Sequence, residues 1–500
     1  MVFPLRAAWA ALVLVLALSP RAEAQDEATA AKVRQAAGFM QAGRPDEAIP
    51  LYRELAAAFP GVPSFGINVA IAQFKAGRYR EAIAQCDSML KLRPDLFSAW
   101  LFLGASYAAL RQPERAVEPL RKAVELNPED RNARVMLADA LLADRQYAGA
   151  AAQFEEAARR MPENPRVWQG QGRSYDALAA ELFDKLSRAA PEAAETAALA
   201  GDMERDRGQW ARAYERYRRA LALRPGLTGL HAAVAEIYEK TGHPDWAATE
   251  RAREPQAPPA DCGSPSIQCD FSKGLLREVA NAAEEMPAAL YLRVRAAREL
   301  ARRAWAKLDE LPASPERYEA VALARERSGR WREAAEAWKE ALDRAPGNVD
   351  FQRQLAIALC RSNDCGSALS LIKKLLDSEP ASAEWNYLYG TALGSTQSTA
   401  QALPYLEAAV KLDAKLTAAR AALGAAYLEA GSPERAIPEL EASLADDEDG
   451  ARRYQLARAY QAVGKADQAG AMLRAYREIL ARKEAQAKAE PVITPPATAP

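Results

Sequence analysis

One short phrase returns along this chain at a nearly constant interval. A turn carrying Gly or a polar residue leads into a small Ala, then an apolar or aromatic residue four positions on, and often a Pro further along. It reads GRPDEAIPLY at 43–52, GRYREAIAQC at 77–86, QPERAVEPL at 112–120, GQWARAYERY at 208–217, GRWREAAEAW at 329–338 and SPERAIPEL at 432–440. The small residues are Ala48, Ala82, Ala116, Ala150, Ala213, Ala247, Ala334, Ala368, Ala402, Ala436 and Ala469, spaced by 34, 34, 34, 63, 34, 87, 34, 34, 34 and 33. No unit of that length buries an apolar face alone, so neighbours must stack, and the chain is read as a repeat array rather than one large core. The residue choice supports helices: long Ala-rich stretches, with 11 Phe, 17 Tyr and 9 Trp in 500 residues, favour close-packed helices over sheet.

The other positions of the phrase name a family. From Phe97 to Pro128 the chain offers Trp100, Leu103-Gly104, Tyr107, Ala116, Leu120, Ala123 and Pro128. Gly201, Gly390 with Leu393, and Leu423-Gly424 with Tyr427 repeat the theme, and Pro60, Pro94, Pro162, Pro225, Pro346 and Pro380 close their units. This resembles the tetratricopeptide repeat, W-x2-L-G-x2-Y…A-x3-F…A…P, over nearly the whole chain beyond position 24. The physical reading agrees with it. Gly or Ala at the tightest contact lets one helix approach its partner, a large residue fills the adjoining hole, and Pro stops the second helix. The expected fold is all-α, a right-handed superhelical solenoid of about 14 stacked antiparallel helix pairs. The resemblance implies a concave groove, lined by the first helix of each pair, that takes extended peptides or partner segments.

Two steps break the period. Val167 to Ser187 and Leu290 to Leu308 both lack the Gly-containing turn, so a first helix runs into a second, and after each the phrase resumes in the same way. They read as a shortened unit duplicated within the array, either to change its curvature or as drift in a tolerant solenoid. The longest irregular stretch, EPQAPPADCGSPSIQCD at 254–270, is a loop dominated by Pro, Gly and Ser. It divides the array into an N-terminal block, 25–253, and a C-terminal block, 271–484. Residues 485–500 form a polar, Pro- and Thr-rich tail expected to be disordered.

Residues 1–24 have the order of a secretory signal peptide: Arg6, an apolar run from Ala7 to Leu18, and Ala22-Glu23-Ala24 before Gln25. An uncleaved anchor is the alternative, although the run falls short of the roughly 20 residues a spanning helix takes. Export into an extracytoplasmic space, the periplasm of a bacterium, is the expected localisation. The five cysteines fit an oxidising compartment. Cys262 and Cys269 sit in the central loop, Cys360 and Cys365 flank a turn between two helices, and each pair could close a small disulfide. Cys86 takes the large-residue position of a second helix and is expected to be a buried free thiol.

Catalytic chemistry finds little footing. There are two His, and no GxSxG, GxxxxGK[ST], HExxH or GxGxxG motif. Neither an enzyme nor a cofactor or metal site is expected. A balance of 66 Lys plus Arg against 67 Asp plus Glu, with export, argues against a nucleic-acid surface. Binding is expected on the non-core positions of the first helices. Early units place apolar residues there: Val33, Met40, Ile67, Ile71, Phe74 and Leu101. Middle units place Asn132, Asp139, Arg166, Gln169, Arg173, Asp176, Asp202 and Arg205 there, and later ones Glu319, Glu326, Arg353 and Tyr387. The Lys and Asn clamp with which some relatives hold a C-terminal carboxylate is missing, since the comparable positions are Ala37, Ile71 and Ala105. The expected function is an exported, non-enzymatic scaffold that binds one or more proteins or extended peptides, in cell-envelope assembly. The alternative is an accessory of polysaccharide or protein secretion that guides a polymer or a pilotin-like cargo.

Overall fold

The structure is a computed structural model that describes residues 20–255, 266–327, 329–396, 399–488 and 491–496. Among these residues there are 26 α-helices and no strand. The first eight helices form four pairs: α1 (Pro20–Gln41) with α2 (Pro45–Ala58), α3 (Pro63–Lys75) with α4 (Tyr79–Leu92), α5 (Phe97–Ala109) with α6 (Pro113–Leu126), and α7 (Arg131–Ala143) with α8 (Tyr147–Arg160). A single long helix follows, α9 (Pro165–Ala189). Two further pairs are α10 (Ala194–Asp206) with α11 (Trp210–Leu223) and α12 (Leu230–Lys240) with α13 (Pro244–Arg251). After the central loop come two short helices, α14 (Ile267–Ser272) and α15 (Leu276–Ala280), and a second long one, α16 (Pro287–Glu310). The C-terminal pairs are α17 (Pro315–Arg327) with α18 (Trp331–Arg344), α19 (Val349–Arg361) with α20 (Leu369–Ser378), α21 (Ala383–Thr396) with α22 (Thr399–Leu412), α23 (Thr417–Glu429) with α24 (Pro433–Ala442), and α25 (Ala451–Ala462) with α26 (Ala466–Lys488). Fourteen pairs would need two more helices, and the long α9 and α16, each standing where two are expected, account for the difference.

The local geometry repeats with the sequence. At the turn inside ten of these pairs one residue adopts the left-handed conformation that lets the chain reverse: Gly43, Gly77, Gly208, Gly242, Gly329, Gly431 and Gly464, but Arg111, Arg145 and Asn363 in three units. Around Gly77 the reversal is held by two backbone bonds, Gly77 N–H to the Phe74 carbonyl at 3.0 Å and Arg78 N–H to the Gln73 carbonyl at 2.8 Å. At the other end, the residue before the closing Pro is forced out of the helical region, as at Arg93 (φ −140°, ψ 87°) and Asn127 (φ −139°, ψ 83°), so the second helix ends there.

Packing within a pair depends on one contact. All eleven small Ala residues are buried, none above 1% exposure. Twelve positions before four of them stand Gly104, Gly201, Gly390 and Gly424, and four positions after stands the large residue that meets the glycine. A Cβ on Gly104 would lie 2.5 Å from Leu120 Cγ, on Gly390 2.8 Å from Leu406 Cγ, on Gly424 2.6 Å from Leu440 Cγ and on Gly201 2.7 Å from the Tyr217 ring. Those large side chains are fully buried, worth about 1.5–3 kcal/mol each. Cys86 occupies the same place in α4 and is a buried free thiol.

The helices gather into two compact units that do not follow chain order. One holds α1–α9 with α14–α16, the other α10–α13 with α17–α26. The division thus differs from blocks 25–253 and 271–484, because packing joins segments that the chain separates. In the first unit α9 and α16 make the most extensive contact between any two helices. Gly172 on α9 stands at the repeat position of Gly104 and Gly424, and a Cβ there would come 2.6 Å from the Trp305 ring on α16. The second half of α16 therefore serves as second helix to the first half of α9. In the opposite direction, Glu181 on α9 acts electrostatically on Arg293 near the start of α16, so the two run antiparallel. The expected duplication is thus a matched pair of merged helices packed on each other. In the same unit α15 returns to α8, where Arg277 Nε reaches the buried Glu155 carboxylate at 2.9 Å.

Three sequence expectations meet the described boundaries. Residues 1–19 of the signal segment lie outside the described residues, and the expected cleavage point after Ala24 falls within the backbone of α1. Cys360 and Cys365 form the disulfide that clips α19 to the short turn Cys365–Ala368 before α20. Cys269 is buried and disulfide-bonded, while Cys262, its expected partner, lies outside the described residues. The tail differs from the expectation of disorder: α26 runs on to Lys488, and 491–496 is seated on other residues of its unit.

Two measurements check this account. Gly104→Ala should lower stability by about 1–3 kcal/mol, because Leu120 has no room to yield. Arg111→Gly should instead raise it by up to about 1 kcal/mol by relieving a left-handed Arg. Urea unfolding of the two variants tests both signs. Burial, helped by Asp87, pushes the Cys86 thiol up to about 12, so it should not react with a disulfide reagent at pH 8 in the native protein. One thiol per chain should appear in denaturant without reductant, and three or more would overturn the pairing of the other four cysteines.

Candidate functional site

The polar first-helix residues expected to line a groove fall in both compact units. In the first unit they lie on α7 and α9. Asn132 and Arg173 are exposed. Asp139 on α7 and Arg166 on α9 form an ion pair at 2.5 Å, each side chain about a third exposed (37% and 31%). The two residues stand 27 positions apart on the first helices of adjacent repeats, so the pair bridges successive first helices, partly in water, where such a pair contributes about 0–1 kcal/mol. Its use is as a fixed pattern of charge more than as a stabiliser.

Two expected groove residues have structural duties instead. Gln169 is 5% exposed and belongs to the interior. The Asp176 carboxylate accepts the Trp305 indole N–H at 3.0 Å, so it anchors α16. Sequence reading missed this because the partner of α9 lies 129 residues away. A signal was present: Ala301 and Trp305 have the small-x3-large spacing, and Ala301 stands 33 residues before Ala334, so the second half of α16 was already in phase with the array.

In the second unit Asp202 and Arg205 lie on α10 within a network. Tyr217 donates its hydroxyl to Asp202 at 2.7 Å, and Arg205 reaches Asp202 at 3.7 Å, Asp206 at 3.4 Å and Glu236 on α12 at 3.5 Å. Burial and the Asp202 charge push the Tyr217 hydroxyl well above its usual range. The Arg205 side chain is about a quarter exposed and links α10 to α12 as Arg166 links α9 to α7. Tyr387 is half-buried, packs with the clusters around Leu406 and Trp385, and has its hydroxyl raised by burial. It is therefore a packing residue at least as much as a surface one. Glu326 accepts the Trp338 indole N–H at 2.8 Å, Arg353 pairs with Glu379, and Glu319 also has a partner.

The early apolar positions divide likewise. Ile67 is core. Phe74 meets Phe102 edge-on at 5.5 Å and Tyr79 at 5.4 Å, and Ile71 and Leu101 are partly buried against the same cluster. Val33 and Met40 do the same against the cluster of Tyr52 and Leu55. Among the described residues no group of three or more His, Cys, Asp or Glu is arranged to hold a metal ion, and no helix is long and apolar enough to cross a membrane.

One polar device appears that sequence reading did not find. The Tyr near the end of a first helix donates its hydroxyl to a Glu on the preceding second helix: Tyr175 to Glu155 at 2.6 Å, Tyr427 to Glu407 at 2.8 Å, and Tyr460 to Glu441. The partners stand 20, 20 and 19 residues apart, so each bond ties one repeat to the next. Burial and the carboxylate raise these phenols, to about 12 for Tyr427 and Tyr460. The signal was available: each such Glu lies five residues after the small Ala of its own unit.

Comparison with known proteins matches the geometry. The family model for the tetratricopeptide repeat matches residues 39–105, 107–173 and 327–391. Tetratricopeptide repeat protein 37 of Xenopus laevis and superkiller complex protein 3 of Mus musculus are each 41% identical over 51 residues, 10% of this chain. The chain spans 3% of the length of these curated relatives. Among solved structures, MamA from Desulfovibrio magneticus RS-1 is 26% identical, with 29% of this chain and 82% of that chain covered at a TM-score of 0.28. The chain thus carries tetratricopeptide repeats in three matched stretches, and the same glycine-to-large-residue contact continues outside them in α10–α11 and α23–α24.

Proposed function

We propose that this chain is an exported, non-enzymatic scaffold that binds protein segments along its first helices and serves assembly in a cell envelope. The tetratricopeptide repeat supports a protein-interaction role, since stacked pairs leave the outer positions of successive first helices side by side on one face. The observation that carries the reading furthest is the Asp139–Arg166 bridge. It holds two opposite charges at fixed positions on adjacent repeats, each about a third exposed, beside the exposed Asn132 and Arg173. Such a pattern orients a polar partner and rejects one of the wrong charge order more than it adds affinity. Export rests on the n-, h- and c-region order of residues 1–24 and on the Cys360–Cys365 disulfide, a linkage favoured outside the reducing cytoplasm.

Crosslinking and enrichment from native envelope extract with residues 25–500 tests the binding face. A partner recovered by the wild type should be lost with Asp139→Arg, and also with the swap Asp139→Arg plus Arg166→Asp. The swap rebuilds the ion pair with its direction reversed, so recovery of binding in the swap would make the bridge merely structural and sink the face assigned to the partner. For export, the chain recovered from the periplasmic fraction should begin at Gln25 by mass spectrometry; a chain beginning at Met1 would show an uncleaved anchor.

A further inference from the structure

A fourth tyrosine stands at the position of the three Tyr–Glu ties but lacks the Glu. Tyr238 on α12 stands where Tyr175, Tyr427 and Tyr460 stand in theirs, but twenty residues earlier, on α11, the chain places Arg218 instead of Glu. The Tyr238 side chain is fully buried, and burial followed by its contact with Tyr214 pushes its hydroxyl above the usual range. Without that Glu the buried hydroxyl still meets the Tyr214 hydroxyl, but only at 3.3 Å, so a closer acceptor is favoured. The tail supplies one. Tyr238 donates to the Thr494 carbonyl oxygen at 2.7 Å, Tyr214 on α11 donates to the same oxygen at 2.9 Å, and the Thr494 hydroxyl meets the Tyr214 hydroxyl at 2.8 Å. The accounting closes: two phenols fill both lone pairs of one carbonyl, and Thr494 Oγ1 donates to the Tyr214 oxygen. The residues around this point are aromatic. Tyr214 and Tyr238 lie 5.8 Å apart between ring centres, Trp246 meets Tyr238 edge-on at 5.6 Å, and His243 stacks on Trp246 at 4.0 Å. In the tail PVITPP, Pro491, Ile493 and Pro496 are half-buried while Val492, Thr494 and Pro495 are exposed, so 491–494 alternate as an extended segment with one side down does.

We propose that the seam between α11 and α12 is a binding site for an extended, proline-flanked peptide, and that this chain's own residues 491–496 occupy it in cis. Backbone recognition through Tyr214 and Tyr238 supplies affinity with little demand on sequence. The prolines limit the freedom an extended ligand loses on binding, and aromatic surfaces suit them. The site is separate from the first-helix face of α7 and α9, so its fate does not depend on the scaffold reading. Covalent attachment keeps the tail at an effective concentration in the millimolar range, so a segment in trans meets an occupied site.

The test uses the chain ending at Lys488, the full chain, and a fluorescent synthetic peptide of residues 489–500, read by anisotropy. The shortened chain should bind the peptide saturably, and the full chain at least about tenfold more weakly. Tyr238→Phe keeps the ring and removes one donor, and should weaken binding to the shortened chain by about two- to tenfold. Arg218→Glu places there the acceptor that the units of Tyr175, Tyr427 and Tyr460 have and should weaken it as well, with the fold unchanged by circular dichroism. A peptide carrying Ile493→Asp should not bind. No binding by the shortened chain, or no effect of both Tyr238→Phe and Arg218→Glu, would overturn the site. Equal binding by the full and shortened chains would overturn occupancy in cis, and so would a full-length dimer that becomes a monomer on removal of 489–500, which would place the tail on a second copy.

Discussion

Everything in this fold rests on how closely two helices of a pair can approach. Where Gly104, Gly201, Gly390 and Gly424 face Leu120, Tyr217, Leu406 and Leu440, no space remains for even a methyl group. The missing Cβ lets the helices close, and the large side chain then fills the gap and leaves no void. The small Ala beside each contact is buried for the same reason. This single distance places the next pair, and the stack propagates because each pair still has an apolar face uncovered. The left-handed turn and the terminal Pro only deliver the helices to that contact.

The same contact explains the place where the array departs from its plan. Gly172 has no second helix of its own to meet, since α9 runs straight through the point where a turn would reverse it. Trp305 of α16 takes the position, and the Asp176 carboxylate receives its indole N–H. A merged helix is thus compatible with the repeat if a second merged helix supplies the missing half. The consequence for binding is direct. Part of the face that would be a groove wall in a regular unit packs inward: Gln169 is buried, and the half-buried Asp176 is bonded to Trp305.

Polar ties act on top of the apolar frame. Tyr175, Tyr427 and Tyr460 each hand a proton donor to a carboxylate on the preceding repeat, which fixes the register between pairs. Arg218 removes that acceptor at one unit, and there alone among these four tyrosines does the hydroxyl bond to the chain's own tail. The loss of the carboxylate coincides with a gain of ligand-like bonding, as expected where the remaining scaffold contact, Tyr238 to the Tyr214 hydroxyl at 3.3 Å, is longer than the 2.7 Å bond to the tail.

Much of this was legible in the residues themselves. The 34-residue spacing, the small Ala, the glycine and the closing Pro determined the helix pairs, their turns, the burial of Cys86 and the runs where a turn was missing. Those features act through neighbours in the chain and through side chains a fixed number of residues apart, so a period of 3.6 and a period of 34 are enough to read them. The tertiary structure decided the rest: that α16 packs on α9, that Asp139 meets Arg166 while Asp176 meets Trp305, and that Thr494 reaches Tyr214 and Tyr238. A periodic pattern marks which face of a helix must be covered but not by what, because any apolar face of matching shape satisfies it. The choice between partners more than a hundred residues apart is made only when the whole chain competes for the same buried surface.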